Sequence, residues 1–161
     1  MKTTYVKNND SLKIFVTREF NDDLPTVWRA WTDAALLDQW WAPKPWKTET
    51  KSMDFSEGGM WLYVMKGPAG EQYWSKLLYR EIDIPRKIDA MDAFCDETGE
   101  VAADMLTTEW EILFELASES TLVSVEISFD NAESMNKLIE MGFEEGFARA
   151  HDNLDELLKT L

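Results

Sequence analysis

Alternation of apolar and polar positions marks most of the chain as strand. Between residues 11 and 20, Leu12, Ile14 and Val16 point one way against Lys13, Phe15 and Thr17. In 108–117, Trp110, Ile112, Phe114 and Leu116 alternate with Glu109, Glu111 and Glu115. In 122–129, Val123, Val125, Ile127 and Phe129 alternate with Ser124, Glu126 and Ser128. One face is buried and one is wet, as in an antiparallel sheet. Further strands are predicted at Trp46–Phe55, Met60–Lys66, Tyr73–Ile82 and Lys87–Cys95, separated by Gly58-Gly59, Gly67-Pro68-Ala69-Gly70 and Asp83-Ile84-Pro85-Arg86. Residues 1–10 are polar and are read as loose.

Helical spacing appears in two places. Asp22-Asp23-Leu24-Pro25 opens a short helix through Val27, Trp28, Ala30 and Trp31, since acids suit the first turn and proline is tolerated there. Thr32 or Asp33 caps a second through Leu36, Leu37, Trp40 and Trp41, ended by Ala42-Pro43-Lys44-Pro45. Near the C-terminus, Asp130 with Glu133 predicts a helix start. Met135, Ile139, Phe143, Phe147, Ala150, Leu154, Leu157 and Leu161 then follow at steps of three and four. This predicts one rod of about 28 residues, ~42 Å long, interrupted by Gly142 and Gly146. A sheet covering such a rod must curve. The expected fold class is α+β: a curved antiparallel sheet wrapped around a long C-terminal helix, with two short helices after the first strand.

Composition sharpens this picture. The 161 residues fit one domain, 1–161, with a core over about 12–160. Eight Trp and eight Phe exceed what a small core needs and suit a hollow, aromatic-lined interior. A net charge of −15 argues against nucleic acid and against anionic membrane surfaces. The single cysteine, Cys95, permits no intramolecular disulfide and fits a reducing compartment. No signal peptide or membrane-spanning run is visible, so no membrane insertion and a soluble, cytoplasmic protein are expected.

The order of elements and the local motifs together resemble a known family. The carrying residues are Val27-Trp28-Arg29-Ala30-Trp31-Thr32-Asp33, Leu36-Leu37-Asp38-Gln39-Trp40-Trp41-Ala42-Pro43, and Met53-Asp54-Phe55 with Gly58-Gly59-Met60-Trp61. Gly67-Pro68-Ala69-Gly70-Glu71, Ile82-Asp83-Ile84-Pro85-Arg86-Lys87-Ile88 and Phe94-Cys95-Asp96-Glu97 follow. Met141-Gly142-Phe143-Glu144-Glu145-Gly146 and Leu154-Asp155-Glu156-Leu157 complete the set. Over about residues 12–160 the chain resembles the homologues of the activator of the heat-shock-protein ATPase, within the START-related helix-grip superfamily. The resemblance implies a helix-grip fold whose relatives bind hydrophobic small molecules in a central cavity; a few are cyclases or hydrolases. The eukaryotic namesakes carry an additional N-terminal domain not seen here, so no chaperone partner is expected. Met53-Asp54-Phe55 lacks the basic residue often found at its last position in the family.

No residue set compels a catalytic reading. His151 is the only histidine, at the edge of the helical apolar stripe, and reads as a surface or interface residue. Without a nucleophile partner it is a poor general base. One histidine excludes a histidine-rich metal site, and no calcium-loop spacing appears. Cys95 sits beside Asp96 and Glu97, which disfavour a thiolate. No glycine-rich phosphate loop occurs before a helix. No cofactor, metal or catalytic residue is therefore assigned.

The expected ligand is a small hydrophobic or amphipathic molecule. The cavity residues predicted are Trp40, Trp41, Trp61, Tyr63, Trp74, Leu78, Trp110, Met135, Ile139, Gly142 and Phe143. Two strands leave their inward face open: Trp61, Tyr63 and Met65 against Met60, Leu62 and Val64, and Tyr73, Ser75, Leu77 and Tyr79 against Trp74, Lys76, Leu78 and Arg80. The alternatives are a cyclase- or hydrolase-type enzyme, which requires a perturbed carboxylate in the cavity, and a co-chaperone-like interaction module using an exposed aromatic patch. Homodimerisation is compatible with the sequence.

Overall fold

A computed structural model describes residues 2–161. Among these residues the strands are β1 (Thr4–Asn8), β2 (Lys13–Phe20), β3 (Lys47–Met53), β4 (Met60–Lys66), β5 (Gln72–Asp83), β6 (Lys87–Cys95), β7 (Thr107–Ala117) and β8 (Ser120–Ser128). The helices are α1 (Leu24–Thr32), α2 (Ala34–Trp40), α3 (Ala132–Glu140) and α4 (Phe143–Leu158). The strands form one curved antiparallel sheet in the order β1-β2-β8-β7-β6-β5-β4-β3, with the C-terminal helix against it. This is the α+β helix-grip arrangement.

Local chemistry explains the element ends. The Asp23 carboxylate accepts from the Thr26 amide at the start of α1, and Asp33 accepts from the Ala35 amide at the start of α2. The β3–β4 turn needs glycine, because a Cβ on Gly59 would stand 2.1 Å from the Asp54 carbonyl oxygen. Registers then place alternate side chains on one face. Tyr63 pairs with Ser75, Leu77 with Asp92, and Asp92 with Thr108.

Four expectations are corrected. Residues 4–8 form an edge strand paired to β2, with Tyr5 opposite Val16. Their side chains are mostly exposed, so alternation was absent there; the backbone ladder and the Tyr5 hydroxyl, which donates to the Glu144 carbonyl at 2.6 Å, hold the strand. The C-terminal rod is two helices. It breaks at Gly142, whose φ of +85° lies in the left-handed region that favours glycine. The cap of α3 is Asn131, which accepts from the Ser134 amide, rather than Asp130. His151 is 1% exposed, not a surface residue.

The core lies between the sheet, α1, α2 and α4. Trp31 packs edge-on against Trp40 at 4.9 Å and Phe114 at 5.8 Å. From α4, Phe147, Ala150, Leu154 and Leu158 are buried. Each large apolar side chain so buried contributes about 1.5–3 kcal/mol. His151 lies among Phe147, Phe20 and Trp31; its Nδ1 is 2.9 Å from Thr3 Oγ1, whereas its buried Nε2 has no hydrogen-bond partner. Arg18 donates to the same hydroxyl and to Asp152 at 2.9 Å, and also to Asp155. A buried cation from β2 is thus satisfied by two carboxylates of α4, which ties helix to sheet.

Candidate functional site

The other end of α4 touches the sheet only in part: Tyr5 of β1 reaches Phe143 and Glu144, and Trp110 of β7 meets Phe143 and Phe147 edge-on. A cavity of about 550 Å³ separates the α3–α4 junction from strands β4 to β7. That size suits a small organic ligand. Its helix side is Leu138, Met141, Gly142, Phe143, Gly146 and Phe147; Trp41 and Pro43 close it from the end of α2. Its sheet side carries Met65, Phe94, Leu106 and Trp110. At the mouth, Trp46 and Tyr73 stand with ring centroids 5.7 Å apart, and Tyr73 is 56% exposed. A smaller hollow of about 260 Å³ continues outward past Lys44, Pro45, Glu145 and Arg149.

The aromatic walls are ordered by mutual contact. Phe143 and Phe147 stack one turn apart at 5.2 Å, and Phe147 meets Trp110 at 5.7 Å and Trp41 at 5.8 Å, both edge-on. Edge-to-face pairs of this kind fix ring orientation. Gly142 and Gly146 face the hollow with no side chain of their own. A Cβ on Gly146 would approach Pro43 Cγ only to 3.7 Å, so alanine fits there.

One polar row crosses the apolar floor. Tyr63, Ser75, Asp92 and Thr108 come from four adjacent strands, β4, β5, β6 and β7. The Trp41 indole donates to the Tyr63 hydroxyl at 3.0 Å, and the Trp110 indole donates to the Thr108 hydroxyl at 2.9 Å. Each hydroxyl oxygen is occupied by an indole, which leaves its own proton to be donated elsewhere. Among the described residues, Asp92 is the only carboxylate lining the cavity. Burial pushes its carboxyl up to about 7. Burial likewise holds the Tyr63 hydroxyl well above its ordinary value, followed by the nearby Asp92 charge. Cys95 stands on the opposite face of β6, its thiol raised by burial. Among the described residues, no three His, Cys, Asp or Glu side chains converge to hold a metal ion.

Of the residues named from sequence, the structure brings Trp41, Tyr63, Trp110, Gly142 and Phe143 to the cavity. Trp40 is core: it is 1% exposed and its indole donates to the Ala30 carbonyl. Trp61 is fully buried behind the cavity wall, stacked on Tyr63 at 4.1 Å. Trp74 and Leu78 are on the outer face of β5, opposite Val64 and Met60, while Tyr73 and Ser75 face inward. The open choice on β4 is resolved by the same register: Tyr63 and Met65 face the cavity. Met135 and Ile139 of α3 do not line it; Leu138 and Met141 do, because the break at Gly142 turns α3 away from the phase of a continuous rod. Asp92 was missed. Its signal was legible, since it shares a strand face with Ile88, Ala90 and Phe94.

Comparison with known proteins agrees with this fold. The family model described as activator of Hsp90 ATPase homolog 1-like protein matches residues 24–159. A crystal structure of a Mycobacterium smegmatis protein is 25% identical, with a TM-score of 0.90, covering 98% of this chain and 97% of that one. A solution structure of an Arthrobacter aurescens protein is 28% identical with a TM-score of 0.91, covering 98% and 92%. One from Staphylococcus epidermidis is 25% identical with a TM-score of 0.85, covering 98% and 94%. No curated protein is significantly similar in sequence. Among the described residues, no helix is long and apolar enough to cross a membrane. The chain belongs to the family of activator of Hsp90 ATPase homolog 1-like proteins.

Proposed function

We propose that this protein binds a small hydrophobic or amphipathic molecule in the cavity between the sheet and the α3–α4 junction. One observation carries the reading: a hollow of about 550 Å³, walled by tryptophan, tyrosine and phenylalanine, between the α3–α4 junction and strands β4 to β7. Apolar concave sites with a few placed polar groups are what small ligands occupy. The lone cysteine, which permits no intramolecular disulfide, supports a reducing, cytoplasmic site of action.

The test is native mass spectrometry of gently purified protein, with thermal-shift screening against lipids and aromatic metabolites. A bound species at one per chain, displaced in Gly146→Leu, is expected. Failure of every compound to bind or to raise the melting temperature overturns the reading.

Asp92 favours a second reading, an enzyme of the cyclase or hydrolase kind. A carboxyl titrating near neutrality serves as general acid or base, and Tyr63 lies beside it. Turnover of a bound ester that survives in Asp92→Asn would remove that reading while leaving binding intact.

A further inference from the structure

The cavity contains a carboxylate with nothing to neutralise it. Among the described residues, no ion pair reaches Asp92, and no Lys, Arg or His lines the cavity around it. Lys44 and Arg149 stand outside, in the adjoining hollow, and Arg149 is already paired with Glu145 at 2.7 Å. An ionised carboxylate in apolar surroundings is costly unless a cation joins it. The walls add to the demand. Trp41, Tyr63, Trp110, Phe143 and Phe147 line the cavity with aromatic rings, a surrounding whose π faces attract a cation. The whole chain, at −15, draws cations toward itself and repels anionic ligands.

We propose that the cavity selects a protonated amine carried on an apolar or aromatic body, with the Asp92 carboxylate as its ion-pair partner. The inference rests on the ligand-binding reading above. The body fills the aromatic hollow; the ammonium sits on the polar row and donates to Asp92. Fatty acids and other anionic amphiphiles are disfavoured, since their head groups would face Asp92 unscreened. The affinity depends on pH through Asp92. Tyr63 and Tyr73 are the other titratable groups lining the cavity. α3 and α4 present only Leu138, Met141, Gly142, Phe143, Gly146 and Phe147, and β7 presents Thr108 and Trp110. Cys95 and Lys76 lie on the far face of the sheet.

Calorimetric titration with 2-naphthylmethylamine, 2-naphthylmethanol and 2-naphthoate tests the inference. The amine is expected to bind at least roughly tenfold more tightly than the alcohol at about pH 8, and the naphthoate more weakly than either. Asp92→Asn removes the advantage of the amine and leaves the alcohol within about twofold. In the unaltered protein, amine binding weakens about tenfold on going from about pH 8 to about pH 5.5, whereas alcohol binding stays level; this series needs no variant to fold. Equal binding of amine and alcohol, or amine binding indifferent to both Asp92→Asn and pH, overturns the amine inference and leaves the cavity as a binding site. Failure of all three probes to bind overturns the binding reading and this one with it.

Discussion

The two ends of α4 are built from the same kinds of residue and do opposite things. At its C-terminal end, Ala150, His151, Leu154 and Leu158 are buried against the sheet and the α1–α2 pair. The one cation there, Arg18, is 3% exposed and engages Thr3, Asp152 and Asp155. At its N-terminal end, Phe143 and Phe147 line the cavity together with Trp41 and Trp110, and the one charged residue lining it, Asp92, is in no ion pair among the described residues. The clamp end is closely packed and its buried cation is ion-paired, although Arg18 Nε and His151 Nε2 lack hydrogen-bond partners; the open end sets an unpaired carboxylate beside a void, which is the arrangement of a site. The difference teaches that aromatic content alone does not mark a cavity, because the clamp end is also rich in tryptophan.

The contrast can be tested by truncation. Trp40→Ala at the clamp end should destabilise the protein by about 3–5 kcal/mol in urea unfolding, whereas Phe143→Ala at the open end should cost about 1–2 kcal/mol. Similar costs at both ends would mean that the open end is as tightly filled as the clamp. Arg18→Leu should cost about 2–4 kcal/mol, because the Thr3 hydroxyl and Asp155 lose their buried partner while Asp152 can turn to water.

The two ends also respond to acid with opposite signs. Asp92 titrates near 7 in the folded protein, above the ~3.9 of an unfolded aspartate, so the folded state takes up the proton first. Its cost to stability is present above pH ~7 and disappears as pH falls through that window. His151 is held down to about 3 by burial, and secondarily by Arg18, against ~6.5 when unfolded. Its contribution is lost as pH falls from ~6.5 toward ~3, because the unfolded chain binds the proton. Between about pH 4.5 and 6.5 the two terms offset each other, each near 1.4 kcal/mol per pH unit at most. Asp92→Asn should therefore raise stability by about 1–3 kcal/mol at pH 8 and steepen the acid loss relative to the unaltered protein. His151→Asn should shift the slope the other way. Parallel pH profiles for all three proteins would refute the assignment.

The smallest effects concern the glycines. Gly146→Ala should stabilise by about 0.5–1 kcal/mol, since the space admits a methyl and helix propensity improves. Gly142→Ala should destabilise by about 1 kcal/mol, because φ of +85° strains any side chain. Melting temperatures that move together would show that the two glycines have the same role.

The strands with a wet face, β7 and β8, and the caps at Asp23 and Asp33 were legible because each is encoded within a few neighbouring residues. β1 was not, since a backbone ladder leaves no side-chain alternation. Trp74 and Leu78 illustrate a second limit: where both faces of a strand are apolar, alternation says which residues share a face and not which face looks inward. Asp92 could have been found by asking which charged residue keeps phase with apolar neighbours on its own strand.

By itself the sequence determined the family, the α+β class, the curved sheet with its terminal helix and the two short helices, because local patterning and motif order suffice for these. Where the helix breaks, which faces look inward, that His151 is buried and that Asp92 lines the cavity emerge only from the folded structure. Those outcomes depend on contacts between residues distant in the chain, such as Thr3 with His151 and Asp92 with Thr108, and on a left-handed backbone at Gly142 that the helical stripe concealed.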